Sequence, residues 1–292
     1  MPQVCAIGLQ ALLDSFGAFL GLCVAAGAAR AADLPKPEHI VMVILENKAY
    51  GEVIGAPAAP YINSLAGHAA LFTDSHAVSH PSQPNYLALV SGSAWDVRDD
   101  HCPVDLEGPS LPGEMQHKKL SFAIFSETLP QTGYTGCNYD GRLYARKHNP
   151  VADFQVRGGV APEANQPFTA FPADYSRLPQ LSIVIPNQYN DMHDGPGTAA
   201  QVRRGDDWLR IHIASYVSWA DAHNSLLIVT WDEDEGTTEN RIATLFVGPM
   251  VKPGEYSTLI THYDVLRTLE EIYGLPFVGA SARAHAITEV WR

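Results

Sequence analysis

The stretch His39-Ile40-Val41-Met42-Val43-Ile44-Leu45-Glu46-Asn47 decides how this chain is read. Residues 40–45 are all apolar and mostly β-branched, and a carboxylate and an amide come directly after them. A short apolar run closed by polar residues is the pattern of a strand buried on both faces. Leu181–Ile185, Ser225–Thr230 and Ile242–Val247 have the same form, and Ser121–Phe125 is a weaker fifth. The four strong runs are expected to be parallel strands. Helical patterns lie between them at Tyr61–His68, Asn85–Ser91, Asp206–Ala222 and Thr261–Tyr273. In the last, Thr261 and Asp264 are spaced as a capping box, and Gly274 and Pro276 close it. Alternating strands and helices predict an α/β chain: a layered α/β/α fold around a mostly parallel central sheet. The Pro-, Ala- and Gly-rich stretch 149–179 is expected to be a functional loop or rim.

The 292 residues carry 19 Lys+Arg against 32 Asp+Glu, a net charge of −13, with 46% hydrophobic residues. That apolar content excludes global disorder. The acidic surplus argues against a nucleic-acid scaffold or a basic membrane patch. It leaves an acidic substrate open, because a bound cation supplies positive charge locally. Ile7 to Ala29 is mostly apolar and small, with Asp14 its only charge, and leads into Ala29-Arg30-Ala31. Residues 1–31 are therefore expected to be an export signal, although Met1-Pro2-Gln3 lacks the usual Lys or Arg. A later start or a plain extension is the alternative. The chain is accordingly expected to form one domain over 32–292, periplasmic or secreted, with no transmembrane anchor. Cys5 and Cys23 fall in the leader, leaving Cys102 and Cys137, which an oxidising compartment would join as a disulfide.

The polar residues at the strand ends carry the chemistry. Glu46-Asn47 ends the first; Pro186-Asn187 and then Asn190-Asp191-Met192-His193-Asp194 end the second; Trp231-Asp232-Glu233-Asp234-Glu235 ends the third. Open parallel sheets bind ligands at the carboxyl ends of their strands. Carboxylates converging there repel one another unless a cation lies between them, so the pattern calls for a divalent metal. Mostly oxygen donors suit Mg, Ca, Mn or Fe, and the histidines keep Zn open. A further cluster runs from Ser79 to Gly92. Within it, Ser82 reads equally well as a helix N-cap and as a nucleophile beside a metal. His212, His223 and His285 read as structural, and Trp231 as packing that steadies the acids.

Glu46-Asn47-Lys48-Ala49-Tyr50, Pro81-Ser82-Gln83-Pro84-Asn85-Tyr86, Asn190–Asp194 and Trp231-Asp232-Glu233 occur in this order between His39 and Tyr273. Together they resemble the phosphoesterase family, which holds bacterial acid phosphatases and phospholipase C-type enzymes within the alkaline phosphatase superfamily. The resemblance implies a metal held by Glu46, Asn47, Asp232, Glu233 and the Ser82 oxygen. It makes Ser82 the nucleophile that takes the phosphoryl group and Asn85 a support for phosphate oxygens. Asp191, His193 and His262 fall where the superfamily keeps further metal ligands, and His193 is the alternative proton donor. Asp232-Glu233 departs from the superfamily's usual Asp-His pair, which leaves the metal count open. Tyr144-Ala145-Arg146-Lys147-His148-Asn149-Pro150 also resembles a family segment, in which Lys147 or His148 would bring positive charge to the phosphate. The implied activity is hydrolysis of a phosphomonoester, with a phosphorylated lipid head group among the expected substrates. A phospholipase C-type diesterase and a non-catalytic exported metal- or anion-binding protein are the rival readings.

Overall fold

The computed structural model describes Leu34–Arg292; the expected export segment, with Cys5 and Cys23, lies outside the described residues. The 39–47 stretch forms strand β1 (Ile40–Leu45), buried along its whole length. Eight more strands join it: β2 (Ala70–His76), β3 (Phe122–Ser126), β4 (Asn165–Pro167), β5 (Leu181–Ile185), β6 (Leu226–Trp231), β7 (Arg241–Val247), β8 (Gly254–Tyr256) and β9 (Ile260–Thr261). The order across the nine-stranded sheet is β8-β2-β7-β6-β1-β5-β3-β4, with β9 beside β2. β1 is central and parallel to both neighbours, Val43 pairing with Val184 on one side and Leu45 with Trp231 on the other. The carboxyl ends of β5, β1 and β6 therefore lie side by side.

Strand alternation explains the layers. Ile40, Met42 and Ile44 pack with Leu87 and Val90 of helix Ser82–Ser91 and with Leu266 and Leu269 of helix His262–Tyr273. Val41, Val43 and Leu45 face the other way, onto Ile62, Leu209 and Tyr216 of helices Pro60–Ala66, Thr198–His212 and Ala214–Ala220. Each such side chain, fully buried, contributes about 1.5–3 kcal/mol. Two apolar faces on one sheet require helices on both, which gives the α/β/α arrangement. The Ser82 helix ends at Gly92, in the left-handed region at φ 65°. A Cβ there would lie 2.1 Å from the Val278 carbonyl oxygen, so only glycine permits this approach.

Three expectations are corrected. The Ile242–Val247 strand runs antiparallel to β6 and β2, because residues 232–240 return the chain in a turn too short for a crossover helix. The single helix expected over Asp206–Ala222 starts earlier, at Thr198, and breaks at Ile213 into two. The 149–179 stretch is not merely a loop, since it builds helix Pro150–Gln155 and the edge strand β4. Strand β2 and helix Leu111–His117 were not foreseen. Cys102 and Cys137 are joined as a disulfide, with their Cα atoms 5.7 Å apart. Among the described residues, no helix is long and apolar enough to cross a membrane.

Candidate active site

Backbone hydrogen bonds bind the three strand ends together. Glu46 N donates to Asp191 O at 2.8 Å, Asp232 N to Leu45 O at 3.0 Å, and Lys48 N to Glu233 O at 3.2 Å. This ladder brings Glu46, Asp191, Asp232 and Glu233 into one buried cluster. The backbone bends sharply there: Asn47 has φ 48° and Met192 has φ 86°. Positive φ in an unbranched, non-glycine residue such as Met192 persists only where surrounding contacts impose it. One such contact is Gly205 of helix Thr198–His212, where a Cβ would lie 2.5 Å from Met192 Cγ and 3.1 Å from Asn190 O.

Ser82 is the first residue of its helix, and the cap position before it is Pro81, which supplies no side-chain cap. The N-cap reading of Ser82 therefore fails. Its Oγ instead donates towards Glu46 Oε2 and Glu233 Oε1, both at 3.0 Å. Four residues on and one helical turn away, Tyr86 donates its hydroxyl to Glu46 Oε1 at 2.5 Å. Asn47 N donates to Asp232 Oδ1 at 3.1 Å, and Asn47 Nδ2 to Glu233 Oε1 at 3.2 Å. His148 stacks on Tyr86, with ring centroids 5.2 Å apart. Its Nε2 lies 3.0 Å from Glu46 Oε1 and its Nδ1 3.4 Å from Asp191 Oδ2, neither aligned as a hydrogen bond.

The electrostatics stem from burial. Burial, and then Asp232 and Asp191, push the Glu46 carboxyl well above its ordinary range. Burial raises Asp191 likewise, against the hold of the His193 amide. Asp232 is pushed up to about 7 by burial and by Glu233. Asn47 Oδ1, Asp191 Oδ2, Asp232 Oδ2 and His148 Nε2 are buried with no hydrogen-bond partner among the described residues. Unpartnered buried polar atoms are rare, and several around one carboxylate cluster form a donor set suited to a cation. Glu46, His148 and His193 also each offer an atom within 4.8 Å of one another. The residues present therefore fit a divalent metal, with oxygen and imidazole nitrogen as donors.

Three expected residues have other tasks in this geometry. Asn85 Oδ1 accepts from Val78 N and Ser79 N at 3.0 Å, and its Nδ2 donates to Ser79 O and Pro81 O at 2.9 and 3.3 Å. Its whole hydrogen-bonding capacity shapes the loop before Ser82, so none is left for a phosphate. His262 is buried and donates Nε2 to the Asp232 carbonyl at 2.7 Å. It props the end of β6 from behind and stays outside the carboxylate cluster. His148 brings no positive charge, because burial, Lys147 and His193 hold it well below its ordinary pKa. Lys147 does bring charge: burial would lower it, but Glu46 and Asp100 outweigh burial and keep it raised.

His193 is partly exposed, bonds Asp194 Oδ1 through Nδ1 at 2.8 Å, and is lowered by burial. It lines an open cleft of about 410 Å³ together with Asn47, Lys48, His80, Gln201 and Glu233. Sequence reasoning did not single out Lys48, His80, Tyr86 or Asp100. His80 contacts Glu233 Oε2 through Nδ1 and bonds Thr237 O through Nε2 at 3.0 Å. Tyr86 was discoverable, since positions i and i+4 share a helix face; the other three carry no local signal.

Comparison with known proteins agrees with this geometry. The sequence model of the Phosphoesterase family matches residues 56–276. The chain is 44% identical over 264 residues to a phosphatidylinositol-3-phosphatase of Mycobacterium tuberculosis, covering 89% of this chain and 85% of that protein. It is 30% identical over 254 residues to an acid phosphatase of Aspergillus fumigatus, of which it covers 55%. Among solved structures, a Vibrio parahaemolyticus protein of the alkaline phosphatase superfamily aligns over 88% of this chain and 72% of its own, with TM-score 0.60 and 14% identity. The phosphonate monoester hydrolase of Silicibacter pomeroyi covers 87% and 78%, with TM-score 0.56 and 14% identity. At that identity the two structures establish the fold, which is that of the alkaline phosphatase superfamily. With the family match spanning most of the described chain, this protein belongs to the phosphoesterase family and is a hydrolase of phosphoric ester bonds.

Proposed function

We propose that the chain is an exported, metal-dependent phosphomonoesterase of the acid phosphatase type, in which Ser82 is the nucleophile. The observation that carries this is the Ser82 hydroxyl itself, at the first residue of a buried helix and 3.0 Å from two carboxylates. A hydroxyl spent on capping would not point there. Residues 1–31 would be the leader and 32–292 one catalytic domain; the disulfide is compatible with an oxidising compartment.

Glu46, Asn47, Asp232, Glu233 and Ser82 Oγ, with Asp191 and His148 beside them, would hold the metal. When bound, a divalent cation offsets the buried carboxylates and stabilises negative charge on Ser82 Oγ and a phosphoryl oxygen. Ser82 Oγ attacks phosphorus in line as its proton passes to the adjacent carboxylates, and the bond to the leaving oxygen breaks. His193, facing the cleft, protonates that oxygen. Burial lowers its pKa, so the donor form gathers on the acid side. Lys147 binds the phosphoryl oxygens equally in substrate and transition state. Water then gives a proton to His193 as it attacks the phosphoserine; the bond from phosphorus to Ser82 Oγ breaks, Ser82 takes its proton back from the carboxylates, and phosphate is released.

Identity of 44% to a phosphatidylinositol-3-phosphatase, over most of both chains, supports a phosphoinositide head group as substrate. Ser82→Ala should lose at least about a thousandfold in kcat on both p-nitrophenyl phosphate and a short-chain phosphatidylinositol 3-phosphate. Near-wild-type activity in that variant would overturn the proposal. A choline phosphodiester should be turned over far more slowly than either monoester, and faster turnover would point to a diesterase.

A further inference from the structure

We infer that Asp100, outside the carboxylate cluster, is a positioning residue that aims Lys147 at the phosphoryl group and ties it to the nucleophile's helix. The inference rests on the function proposed above. Asp100 Oδ1 accepts from Gln83 N at 3.0 Å, the amide immediately after Ser82. That amide is one of the orphan donors at a helix start, and Pro81 offers no side chain to satisfy it. The other oxygen of the same carboxylate, Oδ2, accepts from Lys147 Nζ at 2.8 Å. Lys147 Nζ also lies 3.5 Å from His193 Nε2. One carboxylate thus spans the nucleophile's helix and the ammonium beside the proton donor.

The segments holding this bridge are tied down from behind. Asp100 stands two residues before Cys102, whose disulfide partner is Cys137. Cys137 O in turn accepts from Arg146 N at 2.9 Å, one residue before Lys147. The buried Arg146 guanidinium bonds Thr135 O and Asp105 Oδ1 at 2.8 Å and Asp153 Oδ1 at 2.9 Å. Two covalently joined loops therefore present Asp100 and Lys147 to each other. An anchored carboxylate holds a lysine, a flexible point charge, in one place, and less entropy is then lost when a phosphate arrives. A surface ion pair of purely structural use would instead add about 0–1 kcal/mol to stability and nothing to substrate affinity.

The two roles separate in a double-mutant cycle on p-nitrophenyl phosphate, with inorganic phosphate as competitive inhibitor. Asp100→Asn and Lys147→Met should each raise KM and the phosphate inhibition constant about tenfold, with kcat changed by less than about threefold. The double variant should be no worse than Lys147→Met alone, since Asp100 acts through that ammonium. Asp100→Glu should recover part of the loss. Multiplicative effects in the double variant would overturn the inference, as would an Asp100→Asn that melts lower yet keeps wild-type KM. If Lys147→Met is silent, Lys147 does not touch phosphate and the inference fails. If Ser82→Ala stays active, the proposed function fails instead, so the two failures are distinguishable.

Discussion

Replacing Asp232 by Asn should make the chelated protein more stable at neutral and alkaline pH while destroying metal binding. Asp232 is fully buried, and its carboxyl is pushed from 3.8 up to about 7 by burial and by Glu233. At about 1.4 kcal/mol per pH decade, holding the proton over three decades corresponds to about 4 kcal/mol. Below about pH 4 the group is protonated whether the chain is folded or unfolded, so it affects stability little. Between about pH 4 and 7 the unfolded chain releases the proton and the folded chain keeps it, so wild-type stability falls with pH and then levels. Asparagine cannot ionise, and its carbonyl can still accept from Asn47 N as Asp232 Oδ1 does. The buried His148 and His262 contribute equally to both proteins and cancel in the difference. Because Glu46 and Asp191 share the same crowded charge, about 4 kcal/mol is an upper value. Urea denaturation in chelator, at about pH 4.5, 6 and 8, reads this directly. The variant's advantage should be only about 1 kcal/mol at the acid end and grow to its full size above about pH 7. With a divalent cation added, the order should reverse, and elemental analysis should find less metal on the variant. No advantage at alkaline pH, or one independent of pH, would refute the claim that these carboxylates are strained without a cation.

The geometry sets two further outcomes. Asn85→Ala breaks four hydrogen bonds shaping the Val78–Pro81 loop. It should cost about 2–4 kcal/mol of stability alongside activity, whereas a residue that only touched phosphate would raise KM and leave the melting temperature alone. Gly205→Ala pushes a methyl against Met192 and the Asn190 carbonyl. It should cost about 1–3 kcal/mol and lower metal affinity through the Asp191 loop, and calorimetric titration with metal that shows wild-type affinity would contradict this.

Much of the fold could be read from the chain because β1, β5 and β6 are short, mostly apolar runs, with an acid directly after β1 and β6 and an Asn- and Asp-rich loop after β5. Direction was not readable for β7, since an apolar run has the same pattern in either orientation and only the short 232–240 turn sets it. At the site, residue type was legible and environment was not. Asn85 has the amide that a phosphate contact would need, yet its partners come from backbone six and seven residues earlier. His148 looks cationic in a basic segment, and only its burial, with Lys147 and His193 beside it, reveals that its pKa is held well below the ordinary value. Asp100 carries no motif because its meaning depends on Lys147, 47 positions away.

The turn between β6 and β7 has a consequence for how this chain tolerates changes in length. Asp234 Oδ1 accepts from Gly236 N and Thr237 N at 2.8 Å, and Asn240 Oδ1 accepts from Asp234 N at 2.9 Å. Asn240 Nδ2 then reaches Ser79 O at 2.7 Å, three residues before the nucleophile. Inserting or deleting a residue anywhere in 234–240 would shift the acid pair and the Ser82 loop against each other at once. Exposed loop tips that take no part in such a network, such as 156–158, are where the chain can lengthen or accept a grafted segment.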